Sequence, residues 1–335
     1  MTAPSLSRLQ RLLTVDNQAP PAYLSKLEES EQADLAVRIE RRLNEESDGL
    51  FATVGFVANL LPTSLKVKIA EAMLGPRATA RMTAFVPDKH AIAVAQGLKT
   101  GFLAEVAHHL QPAQVVTILE GSPDSLLLNV GRTLLRQGQY ELLAAFADHL
   151  SPPKLKVLAE QMGAPQDVVH IAQFMRDRPR LIRAAVQFSD PYLLRLMQGI
   201  SHHNAYDIAA LVGQAMQAPR QVSILRQLPP AEAARLAAHY HPEIMAQLVA
   251  HIDVELAVNI ALLLDGLVLG QLFNALPAAQ INRLLPYLGH QKTSAGLAHV
   301  NLKHVEALWP ALSPTVQAIL RRMGQDYPPL AQVLP

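Results

Sequence analysis

The chain has 335 residues, of which half are apolar and only 5% are aromatic, and its formal net charge is +1. A charge this close to zero excludes a general electrostatic attraction to nucleic acid or anionic lipid. The complete lack of cysteine excludes thiol catalysis, disulfide bonds and cysteine-bound metals.

Charged residues make up 17% of the chain, below the roughly 25% of an average soluble domain. Leu and Ala predominate among the apolar residues, which favours packed helices over strands. The sequence therefore predicts either helices that are buried on more than one face or an exposed apolar surface that binds a partner. Because it offers no run of about 20 apolar residues and no signal-peptide core, we predict a cytoplasmic protein.

Residues 1–48 differ from the rest of the chain and are predicted to form a separate N-terminal segment. After the break at Pro20-Pro21, apolar residues recur at helical spacing between residues 24 and 44, with charged residues between them. This pattern predicts an amphipathic helix that caps a repeat array. A helix that meets a partner protein is the alternative.

The most apolar stretch, LFATVGFVANLL, begins at Leu50 and ends at Leu61, and Lys66 and Lys68 follow it. We interpret it as the buried first helix of a repeat domain that comprises residues 49–335. The alternative is an interfacial segment that dips into a membrane surface with the lysines at its rim. Association with a membrane surface through this segment therefore stays open.

From residue 110 onward, a short sequence motif recurs at intervals of about 40 residues. In each copy a proline stands two residues after Leu or Ser, and a proline in the first turn of a helix loses no hydrogen bond there. Constant spacing of such helix starts is typical of a solenoid. The copies are Leu110-Gln111-Pro112, Leu150-Ser151-Pro152, Ser189-Asp190-Pro191 and Leu228-Pro229-Pro230.

The residues after each proline predict one buried face on the helix that follows. Ser151 and Asp190 are predicted N-caps. The residues three and six positions after the proline are apolar in every copy: Val115 and Ile118, Leu155 and Leu158, Leu194 and Met197, Ala233 and Leu236. Further helix starts are marked by Pro123, Pro165, Pro179, Pro219 and Pro242.

Each unit of about 40 residues is thus predicted to hold three short helices joined by tight turns, within the armadillo/HEAT size range. No segment shows strand alternation. The predicted fold is an all-α, armadillo/HEAT-like superhelical solenoid. The motif recurs less regularly near Pro277 and Pro314, and the proline-rich end DYPPLAQVLP is predicted to be a tail or an extended cap.

Short predicted helices are regularly spaced in the segments HLQPAQVVTILEG, HLSPPKLKVLAEQM, QLPPAEAARLAAHY and ALPAAQINRLLPYL. This regular spacing resembles the superhelical cytosolic N domain of MgtE-type magnesium transporters. That domain is in turn similar to the armadillo-like parts of the flagellar switch protein FliG. The resemblance covers about residues 98–323 and implies a superhelical architecture and a tendency to bind proteins. The acidic residues of the family's magnesium site have no counterpart here, so it implies no site residues.

Histidine is the chemically notable residue, with 13 copies. Stacked units could bring several of them together with Asp207 and Glu243 as a nitrogen and oxygen metal site. Alternatively, histidines near helix C-termini bind the terminal carbonyls and favour the negative end of the helix dipole. The candidate metal ligands are His202, His203, His239 and His241.

Arginines cluster in the middle units, where guanidiniums aligned on one surface could bind carboxylates of a peptide partner. A phosphate backbone is the alternative ligand, but no aromatic residues interleave for base stacking, so nucleic acid is not the predicted partner. A solvated face that keeps an apolar array in solution is a further interpretation. The predicted partner-binding residues are Arg176, Arg178, Arg180, Arg183, Arg220 and Arg226.

Common catalytic motifs are missing, since the chain has neither a Gly-rich phosphate loop nor GxSxG nor HExxH. We therefore predict a non-enzymatic adaptor or scaffold that binds a protein or peptide partner and needs no cofactor. A peripheral membrane or lipid- or acyl-binding helical protein is the alternative. A metal-dependent enzyme built on the histidines is a third hypothesis.

Overall fold

The computed structural model describes residues 28, 30–32, 34–35 and 61–334. These residues form α-helices and short 3₁₀ and π segments, and this part of the chain contains no β-strand. The prediction of an all-α helical repeat fold is therefore confirmed. The predicted capping helix lies outside the described residues apart from a few positions between 28 and 35, and so does the apolar stretch that begins at Leu50, apart from Leu61.

The chain divides into two compact units, Met1–Ser122 and Pro123–Pro335. This division lies inside residues 49–335, for which the sequence predicts a single repeat domain. The described helices of the first unit are α1 (Thr63–Ile69), α2 (Gly75–Met82), α3 (Asp88–Gly97), α4 (Thr100–Ala107) and α5 (Val116–Gly121).

In the first unit, α1 runs through a π-helical segment, Ala70–Leu74, into α2. The break comes at Gly75, whose φ of +71° suits a residue without a side chain. Glu71 in the π segment accepts the backbone N–H of Lys99 (2.8 Å), the residue before α4. This hydrogen bond and the nearby Lys99 ammonium lower the pKa of Glu71, against an opposing effect of burial.

The second unit contains α-helices of four to fourteen residues joined by short turns. They are α6 (Asp124–Arg136), α7 (Tyr140–Ala147), α8 (Pro152–Met162), α9 (Pro165–Phe174), α10 (Arg178–Ala185), α11 (Asp190–His203), α12 (Tyr206–Gln214), α13 (Ala218–Gln227), α14 (Pro230–Ala237), α15 (Pro242–Val249), α16 (Val254–Leu263), α17 (Gly266–Ala275), α18 (Ala278–Leu284), α19 (Gly289–Leu297), α20 (Leu302–Leu308), α21 (Pro314–Asp326) and α22 (Pro328–Ala331).

Prolines begin these helices largely where the sequence predicts. Pro152, Pro165, Pro230, Pro242 and Pro314 are each the first residue of a helix, where a missing N–H costs nothing. The residues three and six positions after the repeated prolines are all buried or half-buried, as their spacing predicts. Local chemistry thus determines where most helices start and which face they bury.

Two local predictions differ from the structure. Ser189 rather than Asp190 precedes α11, and the Asp190 carboxylate instead accepts a hydrogen bond from Arg220 Nε (2.7 Å). The proline-rich end includes a one-turn helix, α22, because its two prolines occupy the first helical turn, where proline is tolerated. Leu330 in that turn is fully buried, so this end of the chain is part of the core.

In the second unit, every helix from α6 to α17 contacts the helix two positions later. The helices therefore form two rows. We call α6, α8, α10, α12, α14, α16 and α18 the even row, and α7, α9, α11, α13, α15, α17 and α19 the odd row. One continuous core of mainly leucine, alanine and isoleucine spans much of this unit, from Val169 to Leu330.

The arrangement in two rows places equivalent helices of neighbouring 40-residue units in different rows. Because each sequence unit holds three helices, corresponding helices of successive units fall in alternate rows. The first helices of three units, α8, α11 and α14, lie in the even, odd and even rows. Residues at equivalent positions of neighbouring units therefore do not align along one face.

Candidate functional site

The structure distributes the four candidate metal ligands over different surroundings. His203 stacks on His170 of α9, with ring centroids 4.6 Å apart and planes 12° apart. His239 stacks on Tyr206 of α12 at 5.8 Å, and its Nδ1 lies 2.9 Å from the carbonyl of Arg235. His241 Nδ1 lies 4.0 Å from a carboxylate oxygen of Glu243. The predicted set thus occupies several separate environments.

Within the described residues, no group of three or more histidines and carboxylates is arranged to hold a metal ion. The stacked geometry of His170 and His203 gives a physical reason, because the lone pairs of an imidazole lie in the ring plane. Two parallel rings direct these lone pairs side by side rather than toward one point. The candidate ligands His202, His203, His239 and His241 therefore do not come together as one group in the described residues.

The histidines that do meet belong to a cluster of five rings along the odd row. We call Tyr140, His170, Phe174, His202 and His203 the ring cluster. His170 contacts Tyr140 of α7 edge-on at 4.4 Å and Phe174 at 5.1 Å, and His202 stands edge-on to His203 at 4.7 Å. Three successive helices of the row, α7, α9 and α11, thus contribute rings to one surface.

Gln173 joins the two stacked histidines. Its side-chain N–H donates to the backbone carbonyl of His203 (3.2 Å), which leaves its Oε1 beside Nδ1 of His170 (3.2 Å). An amide oxygen can only accept, so Nδ1 of His170 donates to it. Neutral His170 therefore carries its proton on Nδ1, and its Nε2 is unprotonated.

The surroundings of His203 disfavour its charged form. Burial lowers the pKa of His203 most, and the neighbouring His170 and His202 lower it further. A hydrogen bond from the ring to the backbone of Gln166 and the charge of Asp167 act in the opposite direction, and the net effect is a lowered pKa. Asp167 also accepts the hydroxyl of Tyr140 (3.2 Å), whose pKa is raised by burial and by this carboxylate.

Two of the arginines predicted to bind a partner bind helix ends inside the chain. Arg178 donates to the carbonyls of Ala172 (3.0 Å) and Gln173 (3.3 Å) at the end of α9. Arg220 donates to the carbonyls of Val186 and Phe188 after α10, and to Asp190. The guanidiniums thus bind carbonyls at and just after helix ends, where helical hydrogen bonding runs out.

Two further predicted arginines lie beside carboxylates. Arg180 follows Asp177, which caps α10 and has a carboxylate oxygen 3.2 Å from Arg180 Nε. Arg226 Nε lies 3.4 Å from a carboxylate oxygen of Asp253, and both side chains are half exposed. Since Arg220 and Arg226 are on α13 of the odd row and Arg180 is on α10 of the even row, they belong to different rows of helices.

Arg176 and Arg183 are the members of the predicted set with exposed side chains and no bound acceptor in the described part of the chain. The backbone of Arg176 is nevertheless held firmly. The Asp148 carboxylate accepts its N–H (2.9 Å to one oxygen) and the N–H of Asp177 (3.0 Å). This turn therefore presents the Arg176 side chain from a fixed backbone.

Phe174 lies two residues before Arg176 and is 37% exposed, which places it among the exposed large apolar side chains of the described chain. Its ring contacts His170, and the carbonyl of the preceding Gln173 accepts from Arg178. His170 and Phe174 were not among the site residues predicted from the sequence. Their four-residue spacing on one helix is the signal that could have indicated a shared face.

A second polar cluster lies around Glu232 and joins helices of both rows. The carboxylate of Glu232 accepts from the hydroxyls of Tyr206 (2.5 Å) and Ser201 (3.2 Å), and Arg235 lies 3.5 Å from both Tyr206 and Glu232. Both oxygens of Glu232 are thus engaged within the chain. This arrangement joins α11, α12 and α14 and has the character of a structural network.

A small cavity near the C-terminal end has a volume of about 20 Å³, room for about one water molecule. His304 lines it, and no protein group in the described chain bonds to Nε2 of that ring. The rest of the lining is apolar, from residues such as Phe273 and Leu320. The cavity is too small for an organic substrate.

Comparison with known proteins yields nothing: no family model, no curated protein and no solved structure matches this chain. The resemblance to MgtE-type N domains and to FliG therefore stays a prediction. Among the described helices, none combines the length and the apolarity that crossing a membrane requires.

Proposed function

We propose that this chain is a non-enzymatic helical-repeat adaptor, with an armadillo/HEAT-like second unit that binds a protein partner through the surface around Phe174 and Arg176. The exposure of Phe174 beside the free guanidinium of Arg176 is the observation that carries the proposal. Aromatic residues and arginine are the side chains most enriched among binding hot spots.

The rigidity of this surface supports the proposal. Asp148 holds the backbone of the turn, Arg178 binds the end of α9, and Met175 between Phe174 and Arg176 is buried. A partner would therefore meet side chains that lose little conformational freedom on binding. Such preorganisation increases affinity because it lowers the entropy cost of association.

The local charge indicates the chemistry of the partner. Asp148 is occupied by two backbone N–H groups, and Asp177 by the start of α10 and by Arg180. The side chains of Arg176 and Arg183 are exposed and pair with no carboxylate in the described part of the chain, so their positive charge lies at the surface. We infer a segment that carries an apolar side chain next to carboxylates, since arginine binds carboxylates with two parallel hydrogen bonds.

The test is a crosslinked pull-down of the tagged full-length chain from native cells, with soluble and membrane fractions analysed separately. We expect the wild type to recover a stoichiometric protein and the double variant Phe174→Ser/Arg176→Glu to lose it. Tyr287→Ser/Arg322→Glu is the matched control, since Tyr287 is 65% exposed and Arg322 is also exposed. All three proteins must show the same thermal unfolding midpoint.

Equal recovery by the wild type and the Phe174→Ser/Arg176→Glu variant would contradict the proposed surface. Failure of the wild type to recover any protein would contradict the adaptor function. Recovery in the membrane fraction without a protein partner would instead favour the peripheral membrane alternative.

A further inference from the structure

The contact between α9 and α11 is close and contains the stacked histidines. A side chain on Gly199 of α11 would come within 3 Å of the backbone of Pro165 and Gln166 at the start of α9. About one turn further along both helices, His203 stacks on His170, and Gln173 near the end of α9 donates to the His203 carbonyl. The two imidazoles therefore lie within a tight helix–helix interface, half-buried rather than free in solvent.

Charge on both rings would destabilise this arrangement. Two imidazoliums whose ring centroids are 4.6 Å apart repel each other, and exposed His202 beside them adds a third group that can become charged. From α7 the neighbouring titratable group is Tyr140, whose hydroxyl donates to Asp167 of α9. Asp167 is the carboxylate among the groups acting on His203, and its effect is smaller than that of burial and the two histidines.

We propose that the stacked pair His170 and His203 makes the α9–α11 contact sensitive to protons, so that acidification opens it. Opening would release Phe174, whose ring rests against His170. If the function proposed above is correct, partner binding would therefore weaken at acidic pH. The opening itself does not depend on that function.

The direction of the pH effect follows from linkage. Because the pKa of His203 lies below its ordinary value of 6.5, the unfolded or opened chain binds this proton at a higher pH than the closed chain does. The contribution of His203 to stability is therefore complete above that ordinary value. It decreases as the pH falls below it, until the lower pKa of the closed form has been passed.

The test is hydrogen exchange by mass spectrometry on the full-length protein alone at pH 7.5 and pH 5.5, with intrinsic exchange rates normalised. We expect peptides of α9 and α11 to lose more protection than peptides of α14–α16 at pH 5.5, because the opened chain binds the His203 proton more readily than the closed chain does. His203→Gln keeps a hydrogen-bonding side chain without the charge and should abolish this excess. His251→Gln changes an exposed histidine after α15 and should retain it.

Equal changes in protection in α9, α11 and α14–α16 of the wild type would overturn the proposal. Should His203→Gln be already unprotected at pH 7.5, His170→Gln takes its place with the same expected result. Since no partner is used, failure here leaves the adaptor proposal standing. Conversely, a pull-down that recovers no partner would contradict the adaptor function but not the proton response of the α9–α11 contact.

Discussion

The guanidinium of Arg220 illustrates how single residues act in this chain. It lies on α13 and binds the carbonyls that follow α10, more than thirty residues earlier. Arg283 of α18 binds the carbonyls of Val249, the last residue of α15, and of Ile252 beyond it. Arg132 binds those of Gln161 and Met162 at the end of α8. Long polar side chains thus satisfy helix ends across the stack.

The first prediction concerns this role. Arg220→Met keeps the aliphatic stem but leaves two carbonyls and Asp190 without their donor, so we expect the free energy of unfolding to fall by about 2 kcal/mol. Arg183→Met removes an exposed guanidinium with no bound acceptor in the described chain, and we expect a change below about 0.5 kcal/mol. Urea denaturation followed by circular dichroism measures both. Equal effects of the two substitutions would contradict the structural role of Arg220.

At the scale of elements, glycines allow helices of one row to approach closely. Gly199 lies against the backbone at the start of α9, Gly213 against the ring of Tyr240, and Gly270 of α17 against Gly296 and His299. Gly199 and Gly270 thereby bring helix backbones together, and Gly213 leaves room for an aromatic ring. These contacts explain why a chain with few aromatic residues can still pack its helices densely.

The second prediction uses one of these contacts. Gly→Ala inside an exposed helix usually stabilises it by up to about 1 kcal/mol, but at Gly199 the new methyl carbon would stand 2.8 Å from the Pro165 carbonyl oxygen. We therefore expect Gly199→Ala to destabilise the chain by about 1–3 kcal/mol. Gly101→Ala is the control, since nothing lies within 4 Å of its added carbon. Thermal and urea unfolding of both variants measure whether the free energy of unfolding rises or falls. A stabilised Gly199→Ala protein would refute the close contact.

At the scale of the whole molecule, the second unit is stabilised by contacts between helices that are close in the sequence. Each helix from α6 to α17 contacts the helix two positions later, so the core grows along one direction. Stability in such an array is approximately a sum of local contributions. Substitutions should therefore loosen the array near their own position first.

The third prediction tests this locality. Gly270→Ala would place a carbon 2.6 Å from the Cβ atom of His299 and 2.7 Å from the Gly296 carbonyl oxygen. We expect hydrogen exchange at neutral pH to show lost protection in α17 and α19 and their neighbours, while α6–α9 keep theirs. Uniform loss of protection throughout residues 123–335 would instead show that the second unit unfolds as one cooperative block.

Much of the architecture could be read from the sequence. Prolines at intervals marked the helix starts, and apolar residues such as Leu158 and Leu236 marked the buried faces, because both signals depend on local backbone chemistry. The all-helical repeat fold followed from them. These signals act within a single helix and its cap, so they are already present in the linear chain.

The arrangement of side chains into sites was decided by the tertiary structure alone. His203 meets His170 rather than His239 because each helix packs on the helix two positions later, while the sequence repeats every three helices. For the same reason Arg220 binds the end of α10 instead of extending a stripe with Arg180. Which helix lies beside which depends on packing between distant segments, and the period of the sequence does not encode that choice.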